Sequence, residues 1–578
     1  MSRNAEVAAL LEEMADRLEA LDVDYKPRAY RQAAENVRGH TVAVETLAAE
    51  GQDAVEEIDR VGEAIAAKIV EYVETGSIAE LEELREQLPV DIEALTRVEG
   101  VGPKTVADLY EALGVQDLDD LEAAAEAGEI QEVKGFGAKT EQNILDNIAF
   151  ARESHERQLL GDAQPLAERV MDHLRASDAV ERVETAGSLR RWRPTVGDVD
   201  VLVATDDRQA VVDRFVEFDA ETIEAGTSKA SLRANGIRVD LRVVVPDEWG
   251  SALLYFTGSK DHNIVLRNRA IERELKVNEY GVFDVSGVDD PDSGQRVGER
   301  VAGETEAAMY AALELPYIAP EMREDRGEVA AAAAGELPDL IDETDVRGDL
   351  HLHTEWSDGD DSVAEMVAGA EEFGHDYIAI SDHATGPGMV GGVGVDDDAL
   401  LEQAEEVRAV AADADVRVFT GVEANIAPDG SVSVADDVLA ELDCVVASPH
   451  ASLDGDGTDR LVAACEHPEV NVLGHPTGRL LNQRPGLDFD VEAVAEAAAA
   501  NDTALEINAN PHRLDLSGSY VKRAIEAGAT LAIDTDAHTP ASYGFVRFGV
   551  HTARRGWAEP ADVLTTREAD DVAAFLGL

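Results

Sequence analysis

The chain is 578 residues long, 44% hydrophobic, and carries 120 acidic against 49 basic residues, a formal net charge of −71 at pH 7. That length exceeds one ordinary core and points to about three to five domains. The apolar runs are too short and interrupted to cross a bilayer, and no charged-then-apolar signal opens the chain, so neither membrane insertion nor export is expected.

Residues 1–150 read as short amphipathic helices joined by tight glycine turns. One pattern recurs in "RVGEAIAAKIV" (60–70), "VEGVGPKTVADLY" (98–110) and "VKGFGAKTEQNIL" (133–145). Pro103 suits a first helical turn and Gly114 a helix stop. Gly62, Gly100, Gly102, Gly135 and Gly137 would let backbone approach a phosphate, whose charge meets free N–H groups at a helix start. Only nine lysines occur, eight of them before residue 277, and Lys104, Lys134 and Lys139 stand in or beside these turns. One such turn is as well explained as a plain helix connection. Three in succession favour DNA-backbone binding, and the pattern resembles the helix-hairpin-helix.

From 151 to 318, β-branched runs alternate with helical stretches, an α+β pattern. On a strand, residues two apart face one side, so Asp198 and Asp200 of "DVDVLVAT" project together, and Asp240 of "IRVDLRVVV" is expected from a neighbouring strand. Three converging carboxylates repel unless they hold divalent cations; two such ions suit phosphoryl transfer. The plain alternative is an acidic strand edge. Upstream, "GSLRRWRPTVGDVDVLV" (187–203) gathers Arg190, Arg191 and Arg193, which weighs against it. Residues 319–345, with the run Ala330–Ala334 and many acids, read as a solvated helix or tether.

From Arg347 apolar strands alternate with alanine- and glutamate-rich helices. Ten of the fourteen histidines follow residue 350. Candidate ligands are His351, His353 and Asp358 in "DLHLHTEWSDG", His383, Glu423, His450, His475, and Asp536 with His538. These nine residues are expected at seven strand ends facing one rim, the behaviour of a βα barrel. Their imidazole and carboxylate mixture suits Mn²⁺, Zn²⁺ or iron, two or three ions. His375, His467 and His551 read as ordinary core or surface residues.

The 187–203 stretch, with "YFTGSKDHNIVLRNRA" (255–270) and "NEYGVF" (278–283), is similar to the family X DNA polymerases. The resemblance implies that Asp198, Asp200 and Asp240 bind two Mg²⁺ or Mn²⁺ ions and that Asp240 helps activate a primer hydroxyl. It implies further that Gly187, Ser188 and Arg191 hold a dNTP triphosphate, that Tyr255, Phe256 and Gly258 pack beside its sugar, that Asn263 reads the base edge, and that Arg267 touches the template. Lys260 departs from the pattern, standing where an acid is found in DNA polymerase beta. Lys68 aligns with that family's Schiff-base lyase lysine, in a diluted motif where Ala64 replaces a phosphate-contacting lysine; a plain helix lysine is the other reading. The second half resembles the PHP domain, a distorted (β/α)7 barrel that hydrolyses phosphate esters, and all nine ligand positions of its motifs are present.

The resemblance implies a multidomain fold: 1–85 a helical lyase-like region, 86–150 a fingers-like helix-hairpin-helix region, 151–247 a nucleotidyltransferase palm, 248–318 a thumb-like nucleotide-selection region, 319–345 a linker, and 346–578 the PHP phosphoesterase. It implies a PolX-type enzyme that fills short gaps in base excision repair and trims 3′ ends as a 3′–5′ exonuclease; some such proteins cut at abasic sites. Gapped DNA and dNTPs are the expected partners, without a membrane, for a monomer. Three rivals stand beside this reading. One is a nuclease whose polymerase module only grips DNA, another a noncatalytic repair scaffold, and the third a histidinol phosphatase, which leaves residues 1–318 unexplained. The acidity, spread along the whole length, suits a high-salt cytosol that screens self-repulsion. Cys444 and Cys465 form no ligand spacing and fit a reduced cytoplasm.

Overall fold

The computed structural model describes residues 4–23, 26–39, 44–56, 58, 60–96, 98, 100–155, 157–291, 293–386 and 393–578. They form two compact units, residues 1–157 with 482–484, and residues 158–481 with 485–578. The division falls after 157 rather than after 150 because one helix, Ala138–His155, runs through the expected boundary.

The first unit is helical: α1 (Asn4–Ala20), α2 (Lys26–Gly39), α3 (Glu63–Thr75), α4 (Ala79–Gln87), α5 (Pro103–Leu113), α6 (Leu118–Glu126) and α7 (Ala138–His155), with shorter turns between. Pro103 opens α5, Gly114 closes it at φ 76° with its N–H on the Tyr110 carbonyl, and Val106 and Leu109 form its buried face. Proline has no N–H to lose at a helix start, and glycine takes positive φ without a Cβ clash. The three glycine turns share one backbone form. Gly100 and Gly135 take φ of 82° and 101°, and Arg60 holds the matching left-handed position of the first turn at 57°. Val61 and Val101 point from these turns into the core. On the outer side, a Cβ placed at Gly62, Gly100, Gly102, Gly135 or Gly137 would meet nothing within 4 Å.

The second unit begins with helix α8 (Leu160–Arg175) and a five-stranded sheet of β1 (Arg182–Thr185), β2 (Val199–Ala204), β3 (Glu221–Ala225), β4 (Lys229–Ala234) and β5 (Ile237–Val244), ordered β1-β2-β5-β4-β3. Burial alternates strictly along β5: Ile237, Val239, Leu241 and Val243 enter the core shared with α8, leaving Arg238, Asp240 and Arg242 on the other face. Helices α9 (Trp249–Thr257) and α10 (Lys260–Ile271) follow, with a small antiparallel sheet of β6 (Leu275–Asn278), β7 (Gly281–Asp284) and β8 (Glu299–Ala302).

Residues 319–345 are not a solvated tether. Arg323 is fully buried and Glu321 is 4% exposed, and helix α11 (Glu328–Ala334) begins on a glutamate that is itself fully buried. Arg323 pairs with Glu306, Glu321 with Arg554 at 2.7 Å, and Glu328 with the His262 ring at 2.5 Å. The acids read as solvent-facing in sequence, but Met322, Val329, Ala332 and Ile341 between them are buried. Each buried charge is matched by a partner from elsewhere in the unit, the condition under which charges enter a core.

The last part of the unit is a parallel barrel of seven strands in sequence order: β9 (Gly348–Asp349), β10 (Tyr377–Ile380), β11 (Arg417–Asn425), β12 (Cys444–Ser448), β13 (Val472–Leu473), β14 (Ala504–Asn508) and β15 (Leu531–Asp534). The segments just beyond the two end strands bring the barrel nearly to closure, through the His353 N–H on the Ala537 carbonyl and the Leu350 N–H on Asp534 Oδ1, both at 2.8 Å. Strands buried on both faces explain the continuous apolar runs seen in sequence. Helix α12 (Val546–Arg555) follows β15. Cys444 and Cys465 are buried and unpaired. Among the described residues no helix is long and apolar enough to cross a membrane.

Candidate metal centres

The parallel pairing of β2 with β5 sets Asp200 directly opposite Asp240, and Asp198 stands one residue before β2. The Asp200 carboxyl is pushed up to about 6 by burial and by its neighbours Asp198 and Asp240. Gly187 opens the preceding turn at φ 61°, and a Cβ there would lie 2.3 Å from Asp200 Oδ2. Asp240 is drawn aside by Arg238, whose Nε lies 2.9 Å from its Oδ2, and by the Ser231 hydroxyl. The oxygens of Asp198, Asp200 and Asp240 therefore do not close to a shared set within 4.8 Å, as donor atoms of the barrel do. Crowded acids with a raised carboxyl pKa are nonetheless a fit for divalent cations, which remove the repulsion that raises it.

The arginines of this stretch bridge to later residues. Arg190 makes a bidentate contact with Glu306 at 2.8 Å on each arm. Arg191 is 8% exposed, with its Nε on Glu324 at 3.0 Å and its Nη1 on the Thr257 carbonyl at 2.7 Å. Arg193 reaches the other Glu324 oxygen at 3.5 Å. Ser188 is half-buried in the same turn. At the end of α9, Tyr255 and Phe256 pack edge-on at 5.2 Å, with the Arg242 guanidinium 4.0 Å over Phe256. Asn263 donates to the Tyr255 carbonyl at 2.8 Å, and a Cβ at Gly258 would strike its Oδ1. Lys260 and Arg267 are exposed on α10.

In the first unit, Lys139 and Lys104 are exposed beside their glycine turns, Lys104 pairing with Asp22 at 2.8 Å. Lys68 lies on α3 with its Nζ 3.0 Å from Glu80. Burial opposes charging it, but Glu80 and Tyr30 outweigh burial and hold the amine above its ordinary range.

The barrel brings all nine of its candidate residues to one rim. Glu423, fully buried on β11, lies 2.9 Å from His475 Nε2, 3.3 Å from His450 Nε2 and 3.4 Å from His351 Nε2, and also pairs with His383. Asp536 Oδ1 is 3.1 Å from His353 Nε2, and Asp358 is 3.3 Å from His538 and 3.5 Å from His383. Among the described residues, three ligand sets have all their donor atoms within 4.8 Å: His351, His353 and Glu423; His383, Glu423 and His450; and His353, Asp358, His383 and His538. Among their buried atoms, His351 Nε2, both His353 nitrogens, His383 Nδ1, His450 Nε2 and both Glu423 oxygens have no hydrogen-bond partner. Lone pairs left in this state within a core are what a bound cation satisfies.

Electrostatics divides the imidazoles. Burial, with His383 and His538 nearby, pushes His353 down to about 4, and burial with Arg513 pushes His475 down to about 3. Burial opposes charging His383 and His538 as well, but Glu423 and Asp358 raise His383 to about 10, and Asp358 raises His538 to about 9. Cations compete with those protons for the same lone pairs, so their binding releases protons.

The nine residues stand at six strand ends, not seven. The remaining strand, β14, supplies Glu506, which is fully buried, accepts at 2.6 Å from His351 Nδ1 and leaves Nε2 of that ring facing the centre. Asn425 holds His450 Nδ1 at 2.7 Å in the same way. Asn508 and Arg513 both contact Asp536 Oδ2, at 3.2 and 3.3 Å. These four went unread in the sequence. For Glu506, Asn508 and Asn425 the signal was the alternation of polar residues at the end of an apolar strand, in "LEINAN" and "VEAN", which sets Glu506 with Asn508 and Glu423 with Asn425 on one face each; Arg513, beyond the end of β14, had no such signal.

Comparison with known proteins accounts for both halves. Family models match a helix-hairpin-helix domain over residues 2–78, a SAM-like helix-hairpin-helix tandem over 92–149, a DNA polymerase beta thumb over 252–324 and a PHP domain over 349–510. The thumb match runs past the expected boundary at 318, in keeping with the burial of Arg323. DNA polymerase lambda of Rattus norvegicus is 26% identical over 290 residues, 46% of this chain and 48% of that one. A probable phosphatase of Shewanella sp. (strain MR-4) is 30% identical over 210 residues, 34% of this chain and 78% of that one. The DNA polymerase/3′–5′ exonuclease PolX of Bacillus subtilis (strain 168) is 36% identical over 581 aligned positions, 99% of each chain. Similarity of that extent, with all four models in order along the sequence, means that the chain belongs to the PolX family of DNA polymerase/3′–5′ exonucleases.

Proposed function

We propose that this enzyme fills short gaps in DNA during base excision repair and trims 3′ ends, with polymerisation at the Asp198–Asp200–Asp240 centre and hydrolysis at the barrel. The observation that carries this reading is the presence, on one chain, of two separate clusters, one of carboxylates and one of imidazoles with carboxylates, that each fit divalent cations. Asp198, Asp200 and Asp240 would hold Mg²⁺ or Mn²⁺, which would supply positive charge against a triphosphate, a primer 3′-hydroxyl and the departing oxygens. Asp240 accepts the hydroxyl proton once its carboxylate leaves Arg238, and the Gly187–Ser188 turn holds the triphosphate beside the carboxylate cluster. Arg191 exchanges Glu324 for a phosphate oxygen. Tyr255, Phe256 and Gly258 border the sugar, Asn263 faces the base and Arg267 the template. At the barrel, the nine residues would hold two or three Mn²⁺, Zn²⁺ or iron ions, which would acidify water and offset phosphodiester charge. The same centre suits cleavage beside abasic sites.

Gly187 has no room for a methyl group. We expect Gly187→Ala to displace Asp200 and lower single-nucleotide incorporation about 100-fold, the cost of shifting a reacting group by about 1 Å. The glycine turns and their lysines hold the DNA backbone in an otherwise acidic molecule suited to a saline cytosol. Lys104→Ala and Lys139→Ala should each reduce the slope of log affinity against log salt by about 1, read by anisotropy on gapped duplex. Lys68, ion-paired and held protonated, acts as a structural helix lysine. Borohydride treatment with abasic DNA should trap no adduct there.

The test of the whole reading is a paired assay in molar KCl with Mg²⁺ or Mn²⁺, following gap filling and 3′ digestion. Asp198→Ala combined with Asp200→Ala should lose only incorporation, and His351→Ala only digestion. Joint loss in both would contradict two independent centres.

A further inference from the structure

The turn that carries Gly187 is fastened at its far end by the barrel. Trp192 has φ 52°, a left-handed conformation that a bulky side chain rarely adopts. Its indole lies flat on the His551 ring, with centroids 3.6 Å apart and planes 5° from parallel. It also meets Phe548 edge-on at 5.9 Å and lies 5.3 Å from the Arg547 guanidinium. One residue earlier, the Arg191 carbonyl accepts from Arg555 Nη1 at 2.5 Å. Arg555 is 5% exposed and also pairs at 3.1 Å with Glu324, the carboxylate that holds the Arg191 side chain. Arg547, His551 and Arg555 recur every fourth residue, so all belong to one face of α12. That helix begins shortly after Asp536 and His538 on the barrel rim.

A strained backbone persists only where its surroundings over-determine it. Here the surroundings of Trp192 come largely from α12, while the other end of the same short turn rests on Asp200. We propose that this face of α12 is a positioning element for polymerisation: Arg555 and His551 lock the Trp192 end of the turn and thereby hold Gly187 and Ser188 against the Asp200 centre. The barrel thus contributes to nucleotide binding without touching the nucleotide. The inference rests on the polymerase reading of the palm.

The test uses full-length protein carrying Arg555→Met or His551→Ala, with Arg555→Lys as the conservative variant. Single-nucleotide gap filling gives KM for the dNTP and kcat separately, and digestion of single-stranded DNA reports on the fold of the barrel to which α12 belongs. Arg555→Met should raise KM for the dNTP about tenfold, the size of one lost charge-assisted hydrogen bond, with a smaller change in kcat. His551→Ala should shift KM in the same direction, Arg555→Lys should recover part of the loss, and digestion should stay at the wild-type rate in all three. An unchanged KM in both Arg555→Met and His551→Ala would overturn the proposal, as would a parallel loss of digestion, which would make α12 a general stability element. Wild-type protein that incorporated no nucleotide would overturn the polymerase reading and this inference with it.

Discussion

Asp200→Asn should abolish gap filling, by at least about a thousandfold, and at the same time raise the melting temperature of the metal-free protein at neutral pH. The first effect follows from the proposed role of Asp200 as a ligand of divalent cations. The second follows from what surrounds Asp200: it is buried beside Asp198 and Asp240, which lift its carboxyl to about 6. A carboxylate whose folded pKa lies above its unfolded one favours the fold only while protonated. Its contribution is complete below the unfolded value near 4 and is lost as pH rises through about 6. The shift of roughly two pH units corresponds to on the order of 2–3 kcal/mol, discounted for the part of the side chain that solvent still reaches. Asparagine keeps the shape and removes that penalty. Thermal melts of chelator-treated protein at pH 5 and pH 7.5 check this, with the variant's gain on the wild type markedly larger at the higher pH. Mg²⁺ should narrow the difference by stabilising the wild type, since a cation relieves the same repulsion.

Glu423→Gln should have the opposite effect on stability. It should eliminate 3′ digestion, leave gap filling intact, and lower metal content at least about 100-fold in affinity, since losing even an outer partner of a ligand costs about 10–100-fold. Burial opposes the charge on Glu423, but His383, His450 and His351 outweigh it and hold the carboxyl well below its usual range. A depressed carboxylate stabilises the fold above its unfolded pKa, and that stabilisation disappears as pH falls. Removing one partner from such a buried cluster costs about 3–5 kcal/mol. Chelated Glu423→Gln protein should therefore melt below the wild type at neutral pH, by a margin that shrinks under acid conditions. Both positions are carboxylates at candidate metal centres. The sign differs because acids surround one and imidazoles the other.

Much of this was legible in the sequence. Period-two spacing predicted Asp198 and Asp200 on one face and Asp240 from a neighbouring strand; that Asp240 stands directly opposite Asp200 comes from the β2–β5 register, which no pattern within one strand fixes. Histidines after apolar runs marked the barrel rim because parallel strands all end on the same side. Pro103 and Gly114 fixed both ends of α5 through local backbone chemistry alone. What escaped was long-range. No local pattern tells that Arg190 and Arg191 meet Glu306 and Glu324, more than a hundred residues away, so residues 319–345 looked like a charged tether. Glu506 was missed because it supports a ligand from the one strand without a candidate of its own. Arg60 concealed the left-handed turn position that glycine announces in the other two turns.

The most direct measurement is anomalous diffraction from crystals of the full chain soaked in Mn²⁺. Peaks are predicted at two places, between Asp198, Asp200 and Asp240, and among the imidazoles around Glu423, with the first set absent from Asp200→Asn and the second retained. Manganese confined to the barrel in the wild type, with none at the palm carboxylates, would contradict the account.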